Sequence, residues 1–362
     1  MSRGPQLSGA CLILFLALFA VGCRPRNRAE PGAGFYTGSL PDGRTVWLRW
    51  EPSEGEVSGE LRSLATVDPE RITGTNAAGS VLGRLQFGWS DEEPERGRFL
   101  LRTEGDGEHL GGFWRLPGRT NFEPVRFTKF AALERRRDTT RLRFRDYGIA
   151  KSATAAWPRF LAPDPFSQAV NGWLEHEADS RMSPFLSWSW EEIKEIWSWP
   201  ERGASGEYHQ DCRWDVVWRT NKLVSLLEFH DTYLGGAHGI HGYRGANFQW
   251  ASGRLQELQL ADFFRPESGW LRHVEGLVVA DLRRQQASWY EESATNALAE
   301  RTFTFNAQGL QVYYDPYEVG SYAEGTYTVH LPWDRLVPFL PTNGLVRLRP
   351  TGVVPKLPRD DP

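Results

Sequence analysis

Cysteine is scarce in this chain: among 362 residues only Cys11, Cys23 and Cys212 occur. That is too few for a disulfide framework, so the folds must stand on their hydrophobic cores. An excess of one charge is also missing. The formal net charge is −4, and Arg3 is the only charged residue of the first 22, so the remainder carries −5. Arginines are interleaved with Asp and Glu, which leaves no basic stripe to follow a phosphate backbone and excludes nucleic acid as a partner. There is no G-x-S-x-G elbow, H-E-x-x-H helix, P-loop or dinucleotide fingerprint. The acidic runs "DEEPE" and "EHEAD" read as solvated faces, not as a glycosidase pair. These absences leave no residue assigned as catalytic, and no metal or cofactor to name.

What is abundant points elsewhere. Sixteen Trp and 36 Gly suit many short strands, tight turns and large flat side chains that fill cores or bind other surfaces. At the N-terminus, Arg3 precedes "ACLILFLALFAVG", an apolar run too short to span a bilayer comfortably but right for a signal sequence. It ends in "AVGC", which resembles the lipobox of bacterial lipoproteins. The resemblance implies that residues 1–22 are a signal peptide and that Cys23 is lipidated with acyl chains such as palmitate. More than one chain gives lasting membrane attachment. Arg24 in place of Asp is compatible with export to an outer membrane, so the expected location is the cell envelope, periplasm-facing. With Cys11 in the signal and Cys23 acylated, Cys212 is alone and reads as a small buried hydrophobe.

Residues 23–34 read as a polar tether and 351–362 as a disordered tail. Residues 35–135 are predicted to be all β. Eight runs, from "GFYTG" to "EPVRFTKF", alternate with turn signals such as "PDG" and "EGDGE", which suits a small antiparallel barrel or sandwich. Residues 136–350 read as α+β. Asp164 and Pro165 are placed to start a helix carrying Phe166, Val170, Trp173 and Leu174 on one face. Ser189 and Glu192 have capping-box spacing ahead of Trp190, Ile193 and Trp197, with Pro200 as the stop. Alternation at Trp214, Val216 and Trp218 and again at Leu223, Ser225, Leu227 and Phe229 predicts a hairpin through "TNK". A longer helix follows Ser268 with Leu271, Val274, Val278 and Leu282. A further hairpin, a strand at "GTYTVHLP" and a closing helix at "WDRLVPFL" complete the pattern.

The loop "YLGGAHGIHGY", Tyr233 to Tyr243, holds the chemistry most open to interpretation. His238 and His241 stand three residues apart with His230 upstream, but a zinc site wants three or four ligands held rigidly, and a glycine-rich segment does not supply them. Gly235, Gly236 and Gly239 are expected to allow positive φ or close approach. His238 would then be fixed by the turn, with a hydrogen bond tying it to the loop at Tyr314 to Gly325. The competing role is contact with a partner at the rim through His238, His241, Tyr314, Tyr317 and Tyr322.

Three stretches then match a known pattern in order and spacing: Tyr-x-Gly-Gly-Ala-His at Tyr233 to His238, the "ASGR" turn with its Leu-rich continuation, and Tyr-x-x-Tyr-Glu-x-Gly-x-Tyr-x-x-Gly at Tyr314 to Gly325. They resemble the RsiV-like C-terminal extracellular domain family, which also precedes the deacetylase of PdaC-type peptidoglycan deacetylases. The resemblance runs from about Arg141 to Pro350. It implies an extracytoplasmic α+β module, mostly of unknown function, which in its best understood member is a binding surface for lysozyme. The chain lacks a sigma-binding segment and a deacetylase half, so neither activity is carried over. The expectation is a lipid-anchored envelope protein with a non-enzymatic binding role toward peptidoglycan fragments or a lysozyme-type protein. Two alternatives stand beside it: a metal-assisted hydrolase using His238 and His241, and a small apolar ligand held by the N-terminal β unit.

Overall fold

A computed structural model of the protein describes residues 32–53, 55–63, 69–77, 80–87, 97–105, 107–144, 147–196 and 207–342. The expected signal, Cys23, most of the tether, the tail, Trp197 and Trp199 lie outside the described residues. Among the described residues the protein is mostly sheet, 50% strand against 23% helix.

Strands β1 (Gly34–Ser39), β2 (Thr45–Ser53), β3 (Glu56–Ser63), β4 (Glu70–Ala77), β5 (Ser80–Phe87), β6 (Gly97–Glu104), β7 (His109–Arg115) and β8 (Glu123–Phe144) pair antiparallel in sequence order. Strand β1 pairs with β8 as well as with β2. Alternation explains the partition: one side of each strand is apolar, and those sides meet in one core. Trp50, Phe99, Trp114 and Phe127 run through it as a chain of ring contacts, with centroids 6.0, 5.3 and 6.1 Å apart. Buried Tyr36 satisfies its hydroxyl by donating to the carbonyls of Gly32 and Gly107.

Where a free-standing barrel or sandwich was expected, the eight strands are instead part of a 13-stranded mixed sheet. The reason is β8, which runs for 22 residues straight through the position read as a domain boundary at 135/136. Its residues 123–128 pair with β7 and residues 127–132 with β1. From Ala131 to Phe144 it pairs with β9 (Tyr147–Phe160). Since Ala131 and Ala132 pair with both β1 and β9, and a strand has two edges, β9 takes over the edge that β7 leaves.

A parallel pair needs a crossover, and α1 (Pro165–Ser187) with α2 (Trp190–Ile196) supplies it between β9 and β10 (Glu207–Arg219). Asp164 accepts from Ser167 N as N-cap, with Pro165 in the first turn, and Ser189 and Glu192 form the predicted reciprocal cap. Helix α1 buries Phe166, Val170, Leu174 and Phe185 in the core it shares with β9, whose Ala153 and Ala155 leave room for it. On the same face of β9, Lys151 donates to the carbonyls of Phe185 and Trp188 at the end of α1, 3.0 and 2.7 Å away. Trp190 is buried and Trp188 is partly buried against this core, so the described indoles of the "SWSW" stretch are core residues.

Strands β11 (Leu223–Tyr233), β12 (Ile240–Ala251) and β13 (Arg254–Glu257) extend the sheet antiparallel. The β12–β13 turn has Ser252 at φ 54° and Gly253 at φ 74°, the paired positive values that match the twist of a two-residue hairpin. Helix α3 (Trp270–Arg284) packs Val274, Val278 and Leu282 on a second sheet of β14 (Phe303–Phe305), β15 (Gly309–Tyr314) and β16 (Tyr327–Pro332). Its N-cap is Gly269 in a left-handed conformation, and Ser268 instead donates to Arg265 O. The small sheet is fastened to the large one by buried polar groups: Asn247 donates to Phe303 O, and Phe305 N donates to Ser225 Oγ.

A buried charge cluster joins the N-terminal strands to β10. Arg49 of β2 donates to Asp215 of β10 at 2.6 Å and pairs with Glu51 and Glu60; Arg213 faces Asp215 and Glu60. Burial pushes the Asp215 carboxyl up, but Arg49 and Arg213 outweigh it and hold it below the usual range. A depressed carboxylate contributes stability above its unfolded pKa, and that contribution is lost as pH falls through the folded value. Removing one partner strands the others in a dry site. We expect Arg49→Met to cost about 3–5 kcal/mol in urea unfolding; a cost below about 1 kcal/mol would mean that the cluster behaves as a surface pair.

Candidate functional site

The hairpin β11–β12 carries the glycine-rich loop, with Asp231 opposite His241 and Thr232 opposite Ile240. Gly235 and Gly236 have φ of 91° and 98°, values that a side chain would strain. Gly239 is not left-handed; a Cβ there would lie 2.8 Å from Asp231 Oδ1, so its role is close approach. Tyr233 donates its hydroxyl to Gly236 O and closes the turn.

The loop between β15 and β16 is shaped by carboxylates. Glu318 accepts from Asp315 N and pairs with Arg301, whose guanidinium lies 4.5 Å over the Tyr314 ring. Ser321 and Glu324 cap each other, and Glu324 also accepts from Ser288 and Tyr327. Hydrogen bonds from the Ser321 backbone, the Ser321 hydroxyl and Tyr327 pull the Glu324 carboxyl down to about 2.

The two loops meet on Tyr322. The His238 ring stacks on it at 3.8 Å and 21°, while His241 stands edge-on at 5.4 Å with Nδ1 3.3 Å from the phenol oxygen. His238 Nδ1 donates to the carbonyl of Gly239. The loops are therefore joined through the ring of His238 and the hydrogen bond of His241, whereas the sequence suggested a hydrogen bond from His238. Tyr317 is 5.7 Å from Tyr322 and exposed, at a φ of 72°. Tyr314 requires correction: it is fully buried in the α3 core and donates its hydroxyl to Ala294 O, so it lies beneath the rim and cannot touch a partner.

His230 is not part of the cluster. Phe229 lies 6.0 Å from the His241 ring, and successive strand residues project to opposite faces. His230 therefore lies on the other face, paired with buried Cys212, where burial lowers its pKa. Among the described residues no three His, Cys, Asp or Glu side chains converge as a metal site. Burial pushes the Cys212 thiol up to about 12, which leaves it inert as a nucleophile.

Several residues of this surface were not singled out from sequence. Trp289 is exposed, and its N–H donates to Val319 O of the second loop. His209 lies 3.1 Å from Asp231 and stacks on Tyr233. Asp315 accepts from Tyr243 N at 2.8 Å. That N–H is available because β13 pairs with β12 only from Phe248 to Ala251, leaving the edge open at Tyr243. Gly242 is what admits the carboxylate, since a Cβ there would lie 2.4 Å from Asp315 Oδ2. A glycine inside a strand is the signal for such an approach.

Burial raises the Asp315 carboxyl to about 6, against the opposing bond from Tyr243 N. A raised carboxyl binds its proton more tightly in the folded state, so its contribution is full below the unfolded pKa of about 3.9 and is lost as pH rises through about 6. We expect the melting temperature of Asp315→Asn, relative to wild type, to climb between those pH values and then level off. A difference independent of pH contradicts this assignment.

Comparison with known proteins places part of this surface in a family. Residues 261–334 match the family described as "Protein of unknown function (DUF3298)"; they include Tyr317 and Tyr322 but not the glycine-rich loop. Similar solved structures include the following two. A member of the DUF3298 family from Bacteroides fragilis is 17% identical with a TM-score of 0.40, covering 59% of this chain and 94% of that one. A DUF3298 family protein from Pseudomonas aeruginosa is 16% identical with a TM-score of 0.39, covering 58% and 94%. Comparison with curated proteins returns no match. The chain thus carries a DUF3298 domain at residues 261–334.

Proposed function

We propose that this is a lipid-anchored envelope protein whose RsiV-like C-terminal half binds a protein of the lysozyme type where the two loops meet. The observation that carries the reading is the exposed pair Tyr317 and Trp289, 56% and 42% accessible, beside the packed His238–Tyr322 pair. Open aromatic side chains on a rigid base are what protein interfaces use as anchors. Tyr317 adds to this, because a tyrosine held at positive φ costs about 1–3 kcal/mol, and such strain collects at binding loops. A protein partner is favoured over peptidoglycan fragments: the nearby Asp315, Glu318 and Glu324 already accept hydrogen bonds within the protein and are not offered to sugar hydroxyls. A binding role is favoured over metal-assisted hydrolysis because both imidazoles are engaged with Tyr322.

Attachment at Cys23 is supported by "AVGC" and its preceding apolar run. Strands β1 to β8 enclose one apolar core within the large sheet. Trp50, Phe99, Trp114 and Phe127 fill its interior, which favours a structural role over carriage of an apolar ligand.

Calorimetry with a purified lysozyme and, separately, with soluble muropeptides tests the proposal. We expect binding to lysozyme that weakens at least about tenfold in Tyr317→Ala, the effect of losing one interface anchor of roughly 2 kcal/mol. Silence with lysozyme overturns the partner, and heat with muropeptides alone transfers the surface to a saccharide ligand.

A further inference from the structure

The outward face of β6, β7 and β8 sets apolar and arginine side chains next to one another. Register sets Leu100 beside Phe113 and Phe113 beside Pro124, an apolar row across three strands. Arg98 and Arg115 pair along one side of that row. Along the other, Arg102 and Arg126 flank Gly111. A groove of about 510 Å³ runs here, with Glu104, which pairs with Arg126, as the one carboxylate in its lining. Leu100 and Phe113 are 41% and 48% exposed, and Phe122, 42% exposed, lies under the Arg115 guanidinium.

We propose that this face rests on a bilayer containing anionic phospholipid. Guanidinium forks match phosphate geometry, and an apolar row between two cationic rows suits the headgroup and acyl boundary. The chain path supplies the second argument. Gly32, the first described residue, lies against the β6–β7 turn: Tyr36 bonds Gly32 O and Gly107 O together, and a Cβ on Gly32 would be 3.1 Å from Thr103 Oγ1. Gly32 therefore stands at the margin of the arginine face. Nine residue steps separate Gly32 from Cys23, a span of roughly 30 Å at most. The proposal rests on the reading of Cys23 as the membrane attachment, which would hold this face within reach of the lipid surface.

The test uses the full chain with two vesicle types, phosphatidylcholine alone and equimolar phosphatidylcholine and phosphatidylglycerol. Flotation with the neutral vesicles reports the anchor by itself. On vesicle-bound protein, phenylglyoxal modification read by mass spectrometry reports the face. Arg102 and Arg126 should react about fivefold more slowly on the anionic vesicles, given about 1 kcal/mol per arginine near such a surface. Arg284, outside this face and 72% exposed, should react equally on both. Equal rates for Arg102 and Arg126 overturn the proposal while leaving the anchor intact. If the chain does not float with neutral vesicles, the anchor reading fails. The face is then judged by low-salt binding to the anionic vesicles, which Arg102→Glu with Arg126→Glu should weaken at least about tenfold; no binding, or no effect of the pair, overturns it.

Discussion

Strand β8 keeps its backbone hydrogen bonded for 22 residues, first to β7 and β1 and then to β9, and this unbroken ladder makes the two halves of the chain one sheet. A flexible linker would let the N-terminal strands drift. A shared strand fixes their orientation at the level of peptide geometry. Its consequence is the Arg49 cluster: β2 and β3 are carried against β10, and buried Asp215 meets Arg49 and Arg213. Buried charges are weak stabilisers compared with apolar replacements, yet they tolerate few alternative arrangements. The ladder and the cluster thus specify the same relation between the halves.

The surface proposed for recognition inherits that rigidity. The small sheet is bolted to the large one through Ser225, Asn247 and the backbone of Phe303 and Phe305. The loop after β15 therefore arrives in register with the open edge of β12, where Asp315 takes up the Tyr243 amide. Tyr322 is then held between the two imidazoles, and Tyr317 and Trp289 stand open beside it. Loops set before a partner arrives spend less ordering entropy on binding, so a surface of this size can be selective without a deep pocket.

Much of this was written locally enough to read. The N-terminal strands follow from alternation broken by Gly, Pro and Asp turns. The helix caps at Asp164 and Ser189 follow from side chains that can reach orphan amides. Strand β9 was not legible, because "AKSATAAW" is rich in alanine and carries a lysine; its strand character comes from being sandwiched between β8 and β10. The extension of β8 through "ERRRDTTRLRF" was hidden by charge that suits an exposed strand as well as a linker. Tyr314 read as a rim residue because its neighbours in sequence are loop-like, while the β15 alternation turns it inward. The role of Asp315 depends on where β13 stops, a tertiary fact with no local signature. His238 and His241 were legible as a pair, and the tyrosine they share only became apparent in three dimensions.

The most direct test of the recognition surface is hydrogen exchange mapped along the full chain with and without saturating lysozyme. The account predicts slowed exchange confined to residues 234–243 and 315–325 and to the segment around Trp289. Slowing centred on the β6–β8 face or on the α1 surface, or no change anywhere, would contradict it.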